Sequence, residues 1–344
     1  MAASTAVRTP APRAAAHARR RPATTGPGAE VPATTDPATT DPAYRLFDVA
    51  VRRVRRVGTS FVRVTFGGDQ LPAFGAGGHD QRLKVLLPQG TFDLAQAPDT
   101  DWYGWWRALP DADRPVMRTY TVRAVRPDAG ELDVDFVLHG VADGHAGPAS
   151  AWAARARAGD RVVLVGPSAP GTGRMWGVEW APPSEARTLL LAADETAVPA
   201  VCAVLEQLPA GVRATALLEV PESGDVLEVR SAADLTVEWL PRAQGSHAHG
   251  ERLVQRVREV AARLVDEQTA PPADDGTAPD ADEGVLWDVP ERAVASGPEC
   301  LYAWLAGEAG VVKQLRRHLV REVGVPRASV AFMGYWREGR REGE

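Results

Sequence analysis

The stretch Leu132-Asp133-Val134-Asp135-Phe136-Val137-Leu138-His139-Gly140, followed by Gly147-Pro148-Ala149-Ser150-Ala151-Trp152-Ala153, decides how this chain is read. Leu132, Val134, Phe136 and Leu138 alternate with Glu131, Asp133 and Asp135, so one face is apolar and the other charged. That period of two predicts a half-buried strand. Gly147 and Pro148 suit the entry to a helix, where proline's missing amide costs nothing. The free amides of such a first turn attract an anion, and the Ser150 hydroxyl adds a donor. Trp152 reads as core packing, and His139 as a histidine at a strand end.

Outward from this segment the same alternation recurs at Phe47–Val51, Val62–Phe66, Leu83–Leu87, Met117–Val125 and Arg161–Val165. Six strands with one helix near their end, from Pro148 to Ala158 and closed by Gly159, predict an antiparallel Greek-key β-barrel. The second half follows another rule. Strands at Leu189–Ala193, Ala214–Val220, Leu301–Ala306 and Ser329–Tyr335 alternate with helices at Ala197–Leu208, Arg252–Val265 and Glu308–Val323. Short strands are expected at Val226–Val229 and Leu235–Trp239. This pattern predicts an α/β domain with a parallel, Rossmann-like sheet. The expected domains are a disordered tail over 1–43, a barrel over 44–171, and the α/β domain over 185–340, interrupted by an acidic loop at 266–284.

Composition bounds the function. At ~100–200 residues per domain, 344 residues make two domains the expectation. A net charge of −6 argues against a nucleic-acid-binding body. Two cysteines, Cys202 and Cys300, exclude a disulfide scaffold and a cysteine-built metal centre. No apolar run approaches the ~20 residues of a membrane span, and the basic run Arg19–Arg21 has no apolar stretch after it, so a cytoplasmic, monomeric protein is expected. Lys84 and Lys313 are the only lysines among 39 basic residues, so a cationic site here is mostly arginine. His247 and His249 read as solvated loop histidines, and no metal site is expected.

A second motif, Arg118-Thr119-Tyr120-Thr121-Val122-Arg123, lies on an expected strand. Alternation sends Arg118, Tyr120 and Val122 to one side and Thr119, Thr121 and Arg123 to the other. A ring beside a cation and a hydroxyl suits a flavin: the ring for the isoalloxazine, the cation for the pyrophosphate, the hydroxyl for the reactive nitrogen. A plain surface strand reads equally well from these residues alone.

The run from Arg118 to Pro167 resembles the siderophore-interacting proteins, flavin-dependent ferric-siderophore reductases of the ferredoxin-reductase superfamily. The resemblance rests on Arg-x-Tyr-Thr, Asp-Phe-Val-Leu-His-Gly, Gly-Pro-Ala-Ser-x-Trp-Ala and Gly159-Asp160…Gly166-Pro167, in that order. Asp80-Gln81-Arg82-Leu83-Lys84, Ala193-Asp194-Glu195-Thr196-Ala197, Trp304-Leu305-Ala306-Gly307-Glu308 and Gly334-Tyr335-Trp336-Arg337 extend it from about Tyr44 to Arg340. Eight such motifs in order are far more specific than one.

The resemblance implies that FAD is held by Arg118, Tyr120, Thr121, Asp135, Val137, His139, Gly147, Ala149, Ser150 and Thr196. It implies that NAD(P)H meets Asp194, Glu195, Glu219, Ala306, Gly307, Glu308, Tyr335 and Trp336. The expected substrate is a ferric siderophore, with Lys84, Arg123, Arg337 and Arg340 as cationic rim candidates. The turn after Ala193 departs from a standard dinucleotide site. It has no Gly-x-Gly-x-x-Gly, and Asp194 and Glu195 would repel a pyrophosphate there. Thr196 reads as a helix N-cap. Glu219 sits where a ribose-reading acid is usual, or is an exposed strand-end carboxylate, so NADH and NADPH both stay open. Other readings are a flavin reductase acting on ferredoxin or a quinone, and a non-catalytic flavin-binding protein.

Overall fold

Leu132, Val134 and Phe136 turn to an apolar core as their alternation predicts, but the strand is not half-buried: Asp133 and Asp135 on its other face are buried too, paired with Arg126 and Arg63. The computed structural model describes residues 44–266, 287–289 and 301–339, apart from 91, 99–100, 142–143, 170–176, 185 and 246. The tail over 1–43, most of the acidic loop, Cys300 and Arg340 therefore lie outside the described residues. Strands β1 (Tyr44–Arg56), β2 (Phe61–Gly67), β3 (Arg82–Leu87), β4 (Val116–Thr121), β5 (Ala124–Arg126), β6 (Glu131–Val137) and β7 (Arg161–Pro167) form one antiparallel sheet. Its order is β4-β3-β7-β1-β2-β6-β5. Helix α1 (Trp102–Ala108) precedes β4, and α2 (Pro148–Arg155) joins β6 to β7.

The strand expected over Met117–Val125 is bent into β4 and β5, which pair with β3 and β6 respectively. The bend falls between two successive amides. Val122 N–H donates to the Gln81 carbonyl at 2.7 Å, and Arg123 N–H donates to the Asp133 carbonyl at 2.9 Å. Adjacent amides thus bond to strands near opposite ends of the sheet and curl it toward the expected barrel, but its edges β4 and β5 pair with β3 and β6 and not with each other, so it is a half-barrel of seven strands rather than six. Inside, Trp152 packs against Phe136 and Phe66 with ring centroids 5.5 and 6.2 Å apart. It is 7% exposed, as its core reading required.

The second sheet contains β8 (Thr188–Ala193), β9 (Arg213–Val220), β10 (Asp234–Pro241), β11 (Trp287–Asp288), β12 (Leu301–Glu308) and β13 (Val330–Trp336). Their order is β10-β9-β8-β12-β13-β11, all parallel except β11. β8 is buried on both faces, which is why it reads as an unbroken apolar run. Leu189, Leu191 and Ala193 pack with α3 (Val198–Gln207) and reach the barrel residues Phe61 and Val137. Leu190 and Ala192 pack with α4 (Glu251–Asp266) and α5 (Ala309–Arg317). The sheet order reverses between β8 and β12, so their carboxyl ends form the crevice where ligands bind in such folds. Val226–Val229 is not a strand: it follows a 3-10 turn at Ser223–Asp225, and Leu227 and Val229 pack against the core of the sheet without joining it.

The two bodies are tied together at several points. The buried Asp80 carboxylate accepts the amides of Glu179 and Trp180, at 3.1 and 3.0 Å, and so pins the connecting segment to the start of β3. Ser60 N–H donates to Asp225 at 2.6 Å. Arg123 grips Glu206 of α3 with two hydrogen bonds.

Candidate active site

The barrel half of the candidate site is β4 and the start of α2. Residues Val116–Tyr120 are half-buried on both faces of the strand, whereas β6 and β7 are almost wholly buried. Tyr120 leans on Phe136 at 4.3 Å and keeps part of its ring open. Arg118 donates to its neighbour's carbonyl, Met117, at 2.8 Å, and Thr121 is buried at the strand's end. At α2, the N-cap Gly147 provides no side-chain cap, and Pro148 has no amide. The amides of Ala149 and Ser150 are left as anion donors. A Cβ at Gly147 would meet nothing within 4 Å, so this helix start opens on free space. Ser150 uses its hydroxyl structurally, donating to the Val137 carbonyl at 2.9 Å and accepting the His139 amide at 3.2 Å. It therefore locks the end of β6 to the helix that would hold a phosphate.

Asp135 does not belong to this part of the site. Its carboxylate is fully buried and takes both arms of Arg63, at 2.6 and 2.7 Å, with Arg123 at 3.7 Å. Arg123 is likewise no rim cation, since Glu206 and Asp135 engage it and its side chain is only 10% exposed. Lys84 donates to Thr119 at 2.6 Å, on the face of β4 opposite Tyr120, and Arg337 is exposed.

On the sheet wall the carboxylates hold one another's backbone. Asp194 accepts from the Thr196 amide (2.9 Å) and hydroxyl, the Glu308 amide (2.7 Å) and the Trp336 indole (2.8 Å). It joins the ends of β8, β12 and β13 in one knot. Burial and the neighbouring Glu195 push its carboxyl up. Gly307 has φ +144°, and a Cβ there would come within 2.5 Å of Asp194, so only glycine fits. Thr196 is a donor to Asp194 rather than the expected cap, and α3 starts after Ala197. Ala306 is buried in β12, and Glu308 is the N-cap of α5, accepting from Val311 at 2.8 Å. Tyr335 stacks on Trp287 at 5.9 Å, beneath the Arg82 guanidinium.

Glu195 is buried against Arg242, which donates to its two oxygens at 2.6 and 2.7 Å. Burial acts to raise this carboxyl, but contact with His249 and Arg242 outweighs it and holds the group down at about 2. Glu219 is fully buried and accepts the amides of Gly250 (2.6 Å) and Leu253 (2.9 Å), capping α4. It is therefore neither a ribose reader nor an exposed strand end. His249 corrects another expectation. It is not a solvated loop residue; its ring lies edge-on to Trp336, with Nε2 3.5 Å from Asp194 and 3.7 Å from Glu195. Nothing in the sequence pairs it with acids more than fifty positions away.

A curled antiparallel sheet followed by a parallel α/β sheet, with Arg118, Tyr120 and Thr121 on a strand beside an uncapped helix start, is a fold and a residue set that suit a flavin-binding protein. Residues 50–171 match the siderophore-interacting FAD-binding domain and residues 186–339 the siderophore-interacting protein family; the chain belongs to this family. It is 27% identical over 300 residues to the ferric vibriobactin reductase ViuB of Vibrio cholerae, covering 87% of this chain and 91% of that one. It is 28% identical over 295 residues to the NADPH-dependent ferric-chelate reductase of Escherichia coli, covering 85% and 93%. Among solved structures, a siderophore utilization protein from T. fusca superposes with a TM-score of 0.59 at 26% identity, covering 88% of this chain and 96% of that one.

Proposed function

We propose that this protein is an NAD(P)H-dependent ferric-siderophore reductase that frees iron by reducing it. The observation that carries the reading is the barrel wall: a half-buried strand with a cation and a ring, beside two uncapped amides that open on free space. This set fits FAD, with Arg118 and the amides of Ala149 and Ser150 at the pyrophosphate and Tyr120 and Thr121 at the ring system. FAD, when bound, converts a two-electron hydride donor into a source of single electrons for ferric iron. The protein's own part is to bind, orient and shield. Tyr120, backed by Phe136, fixes one ring position, and Ser150 keeps the strand end and the phosphate-binding turn in register.

The sheet wall supports a nicotinamide site built from backbone and aromatics around Ala306, Gly307, Tyr335 and Trp336, since Asp194, Glu195, Glu219 and Glu308 are engaged internally. Hard oxygen donors hold ferric iron far better than ferrous iron, so one electron per metal releases it without breaking the chelator. The names of the Vibrio and Escherichia relatives, ferric vibriobactin reductase and NADPH-dependent ferric-chelate reductase, support the same substrate class and donor. We place it in the cytoplasm as a monomer, where nicotinamide nucleotides are available; no helix among the described residues is long and apolar enough to cross a membrane. The test is anaerobic. The purified yellow protein should bleach with NADPH or NADH, and adding a ferric siderophore should restore the colour while a ferrous trap develops. Bleaching without ferrous iron would leave a flavin reductase for another acceptor.

A further inference from the structure

We infer that this protein holds its nicotinamide donor by the nicotinamide–ribose half alone, so that NADH, NADPH and reduced nicotinamide mononucleotide are equivalent hydride donors. The inference rests on the reductase reading and deepens it. In a parallel α/β sheet of this order, a dinucleotide runs over the start of the helix that follows the first strand, and its adenylate lies at the end of the second. The pyrophosphate needs free amides at that helix start, and the ribose needs an open strand end.

Among the described residues neither is found. The helix after β8 is α3. The Thr196 amide donates to the Asp194 carboxylate at 2.9 Å. The amides of Ala197 and Val198 both donate to the Asp194 carbonyl at 3.1 Å, and those of Ala200 and Val201 to the Ala197 carbonyl at 3.0 Å. Pro199 has no amide to give. Ala197, Val198 and Ala200 are fully buried, so this helix start is not a surface that a phosphate can reach. Arg242 lies across the ends of β8 and β9, but it is engaged with both oxygens of Glu195, at 2.6 and 2.7 Å, and lies 3.4 Å from Glu219. The barrel occupies the turn after β9. Thr59 N–H donates to the Gly224 carbonyl at 3.3 Å, and Ser60 N–H to Asp225 at 2.6 Å. Glu222, the exposed side chain of that turn, is an acid and repels a phosphate. The other end of the sheet differs. Gly334, Tyr335 and Trp336 at the end of β13 stay half-buried, beside Gly307 of β12. That surface suits a flat dihydropyridine ring and its ribose. The adenylate is left in solvent, and with it the 2′-phosphate that distinguishes NADPH from NADH.

The test is anaerobic stopped-flow bleaching of the flavin-loaded protein with each donor. All three give up the same hydride from C4 of the dihydropyridine to the flavin, two electrons and one proton, and end as the pyridinium, so only binding differs among them. Their second-order rate constants should agree within about threefold, whereas one hydrogen bond to a phosphate of the adenylate half would separate them by roughly tenfold to a hundredfold. ADP-ribose should not compete. Glu222→Arg puts a cation beside the end of β9, where such folds read a 2′-phosphate, and should leave the ratio of NADPH to NADH rates at the parent value. A readout without turnover is saturation-transfer NMR on NADP+. Its nicotinamide protons should take up saturation from the protein, and its adenine protons far less. A mononucleotide slower than NADPH by about tenfold or more, a gain of NADPH preference of that size in Glu222→Arg, or stronger saturation of adenine than of nicotinamide overturns the inference. A protein bleached by dithionite but by none of the three donors overturns the nicotinamide reading itself, and the inference with it.

Discussion

On the barrel wall of the crevice, Arg118 and Tyr120 are half-buried and β4 is open along both faces. On the sheet wall, Asp194, Glu195, Glu219 and Glu308 are each less than 10% exposed, and each accepts hydrogen bonds from the fold's own amides or arginines. Both walls carry the charged residues that mark the family's motifs, yet the charges do different work. On the barrel, Arg118 stays half-buried on the strand proposed for the flavin, whereas Asp135 and Arg123 are held in internal ion pairs. The sheet charges join the ends of β8, β12 and β13 and cap α4 and α5, so the surface we propose for the nicotinamide is one of glycine and aromatic residues. An acid at a strand end of such a fold is thus as readily a staple as a ligand-reader, and burial tells which.

The largest effect that would break this contrast is on the sheet wall. Arg242→Met should leave Glu195 buried and unpaired, and removing one partner of such a pair costs about 3–5 kcal/mol. Denaturant unfolding should show this loss. The pH dependence follows from the depressed carboxyl of Glu195, held down at about 2. Its stabilisation is complete above the ordinary value of 4.5 and is lost as pH falls toward 2, an acid limb of about 3 kcal/mol that Arg242→Met should abolish. A variant of unchanged stability would mean the knot is ornamental.

Between the walls, Asp80 makes the opposite prediction. Burial pushes its carboxyl up to about 6, despite the amides of Trp180 and Glu179. A raised value in the folded state contributes stability that is full below 3.8 and is lost as pH rises through about 6, by up to about 3 kcal/mol. Oδ1 alone lies within reach of both amides, so Asp80→Asn can keep both bonds without the buried charge. The variant should match or exceed the parent in melting temperature at neutral pH and lose the slope between pH 4 and 6. A sharp loss of stability would show that ionised Asp80 is needed to hold the linker.

Arg118→Ala tests the barrel wall in turn. A hydrogen bond to a charged group is worth about 1.5–3 kcal/mol, so FAD affinity should drop by roughly tenfold to a hundredfold while the fold is retained. The protein should purify pale, and isothermal titration should measure the deficit. Full flavin occupancy would make Arg118 an ordinary surface arginine.

The barrel was legible because period-two alternation is local: Leu132–Leu138 and its neighbours announce their faces residue by residue. The bend at Val122–Arg123 was not, because it is set by which carbonyl each amide finds, Gln81 or Asp133, and those lie far off in sequence. The sheet was legible as alternating strands and helices, except at Val226–Val229, where apolar residues at period two run without a strand to pair with. The site divided the same way. Motif spacing located Arg118, Tyr120 and the Gly147 turn. It could not reveal that Asp135 is held by Arg63, that Glu219 caps α4, or that His249 meets Asp194 and Glu195, since each pairing is made by tertiary packing.

The smallest effect concerns the rim, where the comparison is least settled by packing. Of the four cations first considered, Arg123 is held by Glu206 and Asp135. Arg340 lies outside the described residues. Lys84 and Arg337 are left, one bonded to Thr119 behind the flavin strand and one exposed after β13. Rim charges act mainly on encounter and on salt dependence rather than on intrinsic affinity. The double variant Lys84→Gln/Arg337→Gln should therefore slow reduction of an anionic ferric chelate by only a few-fold at low salt, and the difference should vanish at high salt. Flavin content and bleaching by nicotinamide should hold near the parent level, because neither residue lies on the Tyr120 face of β4 or in the knot around Asp194. Equal chelate rates at low salt would assign substrate capture to the aromatic and backbone surface of the crevice alone. A parallel fall in bleaching would mean that Lys84, through Thr119, shapes the flavin strand itself and so belongs to the barrel wall rather than to the rim.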